Sequence, residues 1–309
     1  MSLPPSAQSC TTGYRHIAED VPLGRTARRW EVLPYGLILP TVAYLSLFFA
    51  WPMVQAFQLA FREGGAWTIE PFRMMVNDAN FEDAFKFTML LVVVIVPLQF
   101  VLALAMALLI NSKLHGRGVF LAIFIMPLAI SDLAAGLVWQ SILTERGYLN
   151  TFLEAIGVID QPYIWLDPTK PNQLLMAVVV AELWRSTAFV MVIFLAGLQG
   201  IPHEYGEAAE VFGAGFFRRV RTVILPLLKP SLQVALLFRI IFAFEAFAVV
   251  IAITGRAKTT LATEAWRWQA DYFNSHVAAA YSALILVLSL VSAGIVVWLL
   301  RTPREQMLQ

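Results

Sequence analysis

Cysteine is nearly absent. Cys10 is the only one in 309 residues, so no disulfide can close within the chain and zinc ligation by cysteine is excluded. Charge is scarce as well, at 14% of residues against roughly 25% in ordinary soluble domains, and a net charge of +1 offers little to a polyanion. No basic stripe interleaved with aromatics points to nucleic acid. The four histidines, His16, His115, His203 and His276, have no metal-type spacing, and His203-Glu204 lacks the second histidine of a zincin helix. No Gly-Lys pair occurs anywhere, so there is no Walker A loop. No nucleophile–base constellation stands out either. The expectation is a non-catalytic chain with no metal site and no cofactor of its own.

Apolar residues fill the space, at 59% of the chain. A run of about 18 or more apolar residues is long enough to span a bilayer. Six segments qualify: Val32–Phe61, Phe87–Ile110, Val119–Ile142, Leu174–Gln199, Val223–Thr254 and Val277–Leu300. Buried helices of a soluble protein would need a hydrophilic coat for which almost no sequence remains. The composition therefore predicts an all-α, polytopic membrane protein with six transmembrane helices. The first run starts too late and is too long for a cleaved signal peptide and reads as an uncleaved anchor. Six spans place both termini on one side. Eleven Lys and Arg fall in the termini and loops of that side, among them Arg15, Arg28, Arg29, Lys113, Arg218 and Arg301, against seven opposite. By the positive-inside rule the termini are cytoplasmic.

Between the fourth and fifth runs lies EYGEAAEVFGAGFFRRVRTVILPLLKP, residues 204–230, a polar interruption in an oily chain. Pro202 suits the first turn of a short helix, and Glu204 and Glu207 suit its positive N-terminus. Tyr205, Ala208, Ala209 and Phe212 recur at i, i+3, i+4 and i+7, making one shallow apolar face. Gly213 and Gly215 offer a stop and a left-handed turn. Phe216, Phe217, Val220 and Ile224 form a second apolar side, opposed by Arg218, Arg219 and Arg221. Pro226 and Pro230 should kink the entry to the fifth span. Spacing alone leaves open a helix that rests on the bilayer or a plug for a partner.

The pattern Glu207-Ala208-Ala209, Gly213, Val223, Leu225-Pro226 resembles the cytoplasmic EAA loop of membrane subunits in binding-protein-dependent ABC importers. The resemblance extends over roughly residues 35–300 and is similar to the sugar-importer branch, of maltose and glycerol-phosphate type. It is carried by Pro127, Gly136, Trp139, Gly147, Asn150 and Gly157, by Trp184-Arg185, by Ala196-Gly197-Leu198-Gln199 with Ile201-Pro202, and by Leu225–Pro230. Phe212 and Ala248 depart from it, each standing where relatives commonly carry aspartate.

The resemblance implies a cytoplasmic coupling helix between the fourth and fifth spans that docks into a separate ATPase, through Tyr205, Glu207, Ala208, Ala209, Phe212, Gly213, Leu225 and Pro226. It implies a short cytoplasmic tail at 1–31, a permease domain at 32–301 with its coupling loop at 200–226, and a second tail at 302–309, in a bacterial inner membrane. The implied partners are a second permease subunit, a pair of ATPase subunits that bind the ATP and Mg, an extracytoplasmic solute-binding protein, membrane lipid and a sugar-like substrate.

A charge at the centre of a span costs roughly 2.5–3.5 kcal/mol on insertion scales, so each one asks for a reason. Asp132, Trp139 and Gln140 follow one another on the third span, Glu182 and Arg185 stand at i, i+3 on the fourth, and Arg239, Phe244 and Glu245 lie on the fifth. One reading makes Asp132, Trp139, Gln140, Glu182, Arg185, Phe244 and Glu245 the lining of a carbohydrate pathway, with hydroxyls on the polar groups and C–H faces on the rings. The other is structural, with Glu182 and Arg185 as a pair inside one helix and Trp184 as a belt residue. Trp67, Trp165, Trp266 and Trp268 are expected as interfacial anchors. A carrier driven by an ion gradient, with Asp132, Glu182 and Glu245 passing protons, is the rival function; it has no evident use for the plug at 202–226.

Overall fold

The computed structural model describes the backbone of residues 26–112 and 116–300, with side chains from residue 35 onward. Cys10, Arg15, His16, Arg25, Lys113, His115, Arg301, Arg304, the side chains of Arg28 and Arg29 and most of the two expected tails lie outside the described residues. The chain divides into two compact units, up to Val54 and from Gln55. The first span is α1 (Thr26–Leu45), a π turn (Ser46–Ala50) and α2 (Trp51–Ala60), continuous in backbone.

The second unit starts with a two-residue hairpin, β1 (Arg62–Glu63) and β2 (Ala66–Trp67), and α3 (Glu70–Val76). Two long helices form its spine: α4 (Phe81–Asn111) and, after α5 (Arg117–Ile125), α6 (Asp132–Leu143) and α7 (Tyr148–Ala155), the helix α8 (Pro171–Gln199). They run side by side in the same direction. Phe87, Leu91 and Ile95 of α4 pack with Ala177, Val178 and Ala181 of α8, and Ala103 and Ala107 pack with Val190, Met191 and Phe194. The alanines let the backbones approach, which matters in lipid because tails are as apolar as leucine and close packing must supply the attraction.

Beyond α8 come α9 (His203–Val211) and α10 (Phe216–Arg219), which runs through a π turn (Val220–Ile224) into α11 (Leu225–Phe244). Then follow α12 (Ala248–Thr254), α13 (Leu261–Ala270) and α14 (Ser275–Leu299). Five helical segments are long and apolar enough to cross a membrane, and a bent pair makes a sixth among the described residues. Pro230 lies inside α11, which stays helical through it. Pro226 sits in its first turn, and the backbone just before it takes the wide turn, with Leu225 N–H reaching Val220 O.

Two spans expected to be continuous are broken. The third turns through 102° between residues 117–129 and 132–155. Pro127 lies in a 3-10 turn, and Ser131 starts α6 afresh: its Oγ accepts from Ala134 N–H at 3.3 Å, and Asp132 complements the new positive helix end. The fifth stops at Phe244, and three residues, Glu245–Phe247, separate it from α12. The two breaks meet, because α6 packs along α12. A Cβ on Gly136 of α6 would stand 2.6 Å from Ala252 Cβ and 3.1 Å from Val249 Cα, so only glycine allows that approach.

At the opposite end from α9, polar bonds tie α13 and α14 onto α4. Asp78 Oδ2 accepts from Trp268 Nε1 at 2.8 Å and from Tyr281 Oη at 3.1 Å. Lys258 pairs with Asp83 at 3.3 Å, and Thr88 Oγ1 accepts from Leu261 N–H at 3.0 Å. Two of the expected anchor tryptophans are therefore interior fasteners: Trp268 holds Asp78, and Trp165 Nε1 donates to buried Asn150 at 2.8 Å. Trp67 is exposed under the Arg62 guanidinium, and Trp266 packs on Phe247.

Candidate functional site

The breaks in the third and fifth spans open onto a cavity of about 280 Å³, lined by Asp132, Glu182, Arg185, Arg239, Phe242, Glu245, Phe247 and Ala248 among others. Five ionisable side chains thus surround one small space inside an apolar helix bundle. Arg239 on α11 donates through Nη2 to Glu182 Oε2 on α8 at 3.1 Å, with the two side chains only 4% and 5% exposed. Ser186 Oγ donates to the same carboxylate oxygen at 3.2 Å. Arg185 reaches across to Asp132 at the start of α6.

The expected pair of Glu182 with Arg185 inside α8 does not form. Arg239 is buried and has to be neutralised from another helix, so it takes Glu182, and Arg185 turns to the exposed carboxylate of Asp132. Both pairs bridge helices, so they also fix where α6 and α11 stand against α8. The signal was present in the sequence, since an arginine in the middle of an apolar run demands an anion, but sequence spacing could only suggest partners on its own helix.

Glu245 caps the C-terminal end of α11, exposed to the cavity, and its carboxylate has no ion-pair or hydrogen-bond partner among the described residues. It also lines a neighbouring cavity of about 400 Å³ against Ser282 and Ser289 of α14. Phe244 is not part of either lining. It is buried with Val96, Ile240 and Ala243, and the rings that face the charged cavity are Phe242 and Phe247, two helix positions before it and in the break after it. Trp139 and Gln140 lie elsewhere too. Trp139 stacks edge-on to Trp184 at 6.1 Å and lines a third space, of about 570 Å³, with Tyr163, Trp165 and Met176. Gln140 is half-buried and lines neither. Of the seven residues expected on a pathway, the fold brings together Asp132, Glu182, Arg185 and Glu245.

The second feature is α9. Its C-terminus is a Schellman motif: Gly213 N–H bonds Glu210 O at 2.9 Å and Ala214 N–H bonds Ala209 O at 2.9 Å, with Gly213 at φ +74°. Gly215 is extended instead, so the left-handed turn rests on Gly213 alone. Arg219 pairs with Glu210 and ties α10 back to α9. No residue of α9 is buried: Tyr205 and Ala208 are exposed, Val211 is 86% and Phe212 87% exposed, and Phe217 is 85% exposed beyond the turn. Ala209 is half-buried and turned partly inward, so the open apolar face runs Tyr205, Ala208, Val211, Phe212 rather than through both alanines. Glu207 faces a cavity of about 380 Å³ between α9 and the end of α8, Leu225 packs on the chain's own core and Pro226 is exposed at the start of α11. No group of three or more His, Cys, Asp or Glu that could hold a metal ion occurs among the described residues.

Residues 99–305 match the family described as binding-protein-dependent transport system inner membrane component. The trehalose/maltose transport system permease protein MalF of Thermococcus litoralis is 32% identical over 84% of this chain and 90% of its own length. The sn-glycerol-3-phosphate transport system permease protein UgpA of Agrobacterium fabrum is 28% identical over 84% and 91%. A chain of a bacterial alginate ABC transporter, solved in complex with an alginate pentasaccharide-bound periplasmic protein, shares the fold, with a TM-score of 0.78 at 22% identity over 89% of this chain and 96% of that one.

Proposed function

The chain belongs to the inner membrane components of binding-protein-dependent transport systems, and from that premise we propose that it is a permease subunit importing a sugar or sugar-like solute at the expense of ATP hydrolysed by a separate subunit. The gradient-driven carrier gives way to this membership. The sugar class is supported by relatives named for trehalose, maltose and glycerol 3-phosphate, and by a cavity that offers guanidinium, carboxylate and ring faces together. The solute path runs through that cavity, past Asp132, Glu182, Arg185 and Glu245. Both termini and α9 lie on the cytoplasmic side, in agreement with the arginine bias of the loops. A second permease subunit, a pair of ATPases and an extracytoplasmic binding protein complete the assembly.

The observation that carries the proposal is α9 itself. A helix of nine residues, closed by a Schellman turn, is held between two spans with its apolar side chains uncovered. Leaving Phe212 and Val211 in water is unfavourable by roughly 1.5–3 kcal/mol per side chain relative to burial, so a partner surface gains that much by covering them. The exit and entry of α9 are fixed to α8 and α11, so a push on it moves both spans. The test substitutes Ala208→Asp, at an exposed position outside every span. The assembled importer should lose its ATPase on purification and its solute-stimulated hydrolysis. Normal retention and stimulation would reduce α9 to a helix resting on lipid.

A further inference from the structure

We infer that the solute carried past the charged cavity is electrically neutral or cationic, and that Glu245 is the residue that turns anionic sugars away; this rests on the importer reading above. Three carboxyl groups and two guanidiniums line the cavity. Arg239 is consumed by Glu182, buried to within a few per cent, and Arg185 by Asp132. The cations are therefore neutralised before any solute enters. What remains is the carboxylate of Glu245, exposed and unpartnered among the described residues, at the point where two cavities adjoin. The negative end of α11 and the positive end of α12 meet at this break and offset each other, so the side chain decides the sign.

The magnitude separates solute classes. Two like unit charges about 6 Å apart at an effective dielectric of about 20 lower occupancy on the order of 100-fold. A phosphorylated or uronate sugar would meet that penalty with no uncommitted guanidinium to repay it. A neutral sugar would not, and it would still find donors, because the Arg185 guanidinium lines the cavity partly exposed and carries five N–H bonds, more than Asp132 takes up. Phe242, 45% exposed, and Phe247 line the same space with their rings. Hydrogen-bond donors without surplus positive charge, beside aromatic rings, suit hydroxyl oxygens rather than phosphate or carboxylate.

The single native cysteine makes the sign of the cavity directly measurable. In the assembled importer in membrane vesicles, Cys10→Ser with Ala248→Cys places one thiol in the lining. Its modification rates with a trimethylammonium and a sulfonate methanethiosulfonate of similar size are read as mass shifts of this chain. Both rates are normalised to those on 2-mercaptoethanol. The cationic reagent should be favoured at least tenfold, and adding Glu245→Gln should remove most of that preference. A ratio near one, or a preference for the sulfonate, overturns the inference; if Ala248→Cys does not react, Phe242→Cys is read in the same way. Uptake separates this from the importer reading. With ATP and the binding protein present, trehalose, maltose, glycerol 3-phosphate and oligomannuronate are offered in turn. Uptake confined to the neutral sugars supports the inference. Uptake of either anion refutes it while leaving the importer reading intact. Uptake of none refutes the sugar reading, and the thiol ratio still decides the sign of the cavity.

Discussion

The bond between Glu182 and Arg239 should be worth far more to remove by halves than as a whole. Its atoms are 3.1 Å apart and both side chains are about 95% buried between α8 and α11. At an effective dielectric of about 20 the Coulomb attraction at that distance is about 5 kcal/mol. Desolvation of two ions offsets most of it, so the intact pair contributes little net stability. Arg239→Met removes the attraction and leaves the Glu182 carboxylate desolvated, with only Ser186 as a donor, a loss of roughly 3–5 kcal/mol. Glu182→Gln leaves the guanidinium in the same position at similar cost. The double variant Arg239→Met, Glu182→Gln has no orphaned charge and should recover most of the loss. The assay is the melting temperature and folded yield of the detergent-solubilised importer, read by size exclusion after heating. Both single variants should melt well below the parent and the double variant should lie above either. Additive losses, with the double variant worst, would refute the argument that each ion is there chiefly to neutralise the other.

Three further outcomes follow from the geometry. Gly213→Val forces a β-branched residue to φ +74°, at a cost of roughly 1–2 kcal/mol for the left-handed conformation alone; it should loosen α9 and reduce ATPase co-purification, and Gly213→Asn should do so less. Gly136→Ala puts a methyl group 2.6 Å from Ala252 Cβ and 3.1 Å from Val249 Cα and should lower the melting temperature, and adding Ala252→Gly should restore it only in part, because the backbone contact remains. Asp78→Ala leaves Trp268 Nε1 and Tyr281 Oη without their acceptor, roughly 1–3 kcal/mol for each unsatisfied group; protease sensitivity should rise at the α13–α14 end while α9 still binds its partner.

Composition and spacing determined the class of this protein without help from the fold. An apolar content of 59% with six long runs leaves only a helical membrane protein, because in lipid each backbone group must be satisfied within its own segment. The turn at Gly213 was legible for the same local reason: the residue types that close a helix act within one turn of chain. What the sequence left undecided involved partners distant along it. Glu182 had Arg185 within reach on its own helix, and only the placement of α11 against α8 supplied Arg239 instead. Phe244 and Phe242 are equivalent by composition, and which ring faces the cavity depends on the rotation of α11 about its axis. The broken spans lie between these cases. Pro127 and Ser131-Asp132 mark the interruption of the third span, but whether the chain there bends or runs on is set by α12, which packs so closely on Gly136 that the second half of the span follows it. Local signals act through the backbone of one turn, whereas the pairing of buried charges is decided by which helices share an interface.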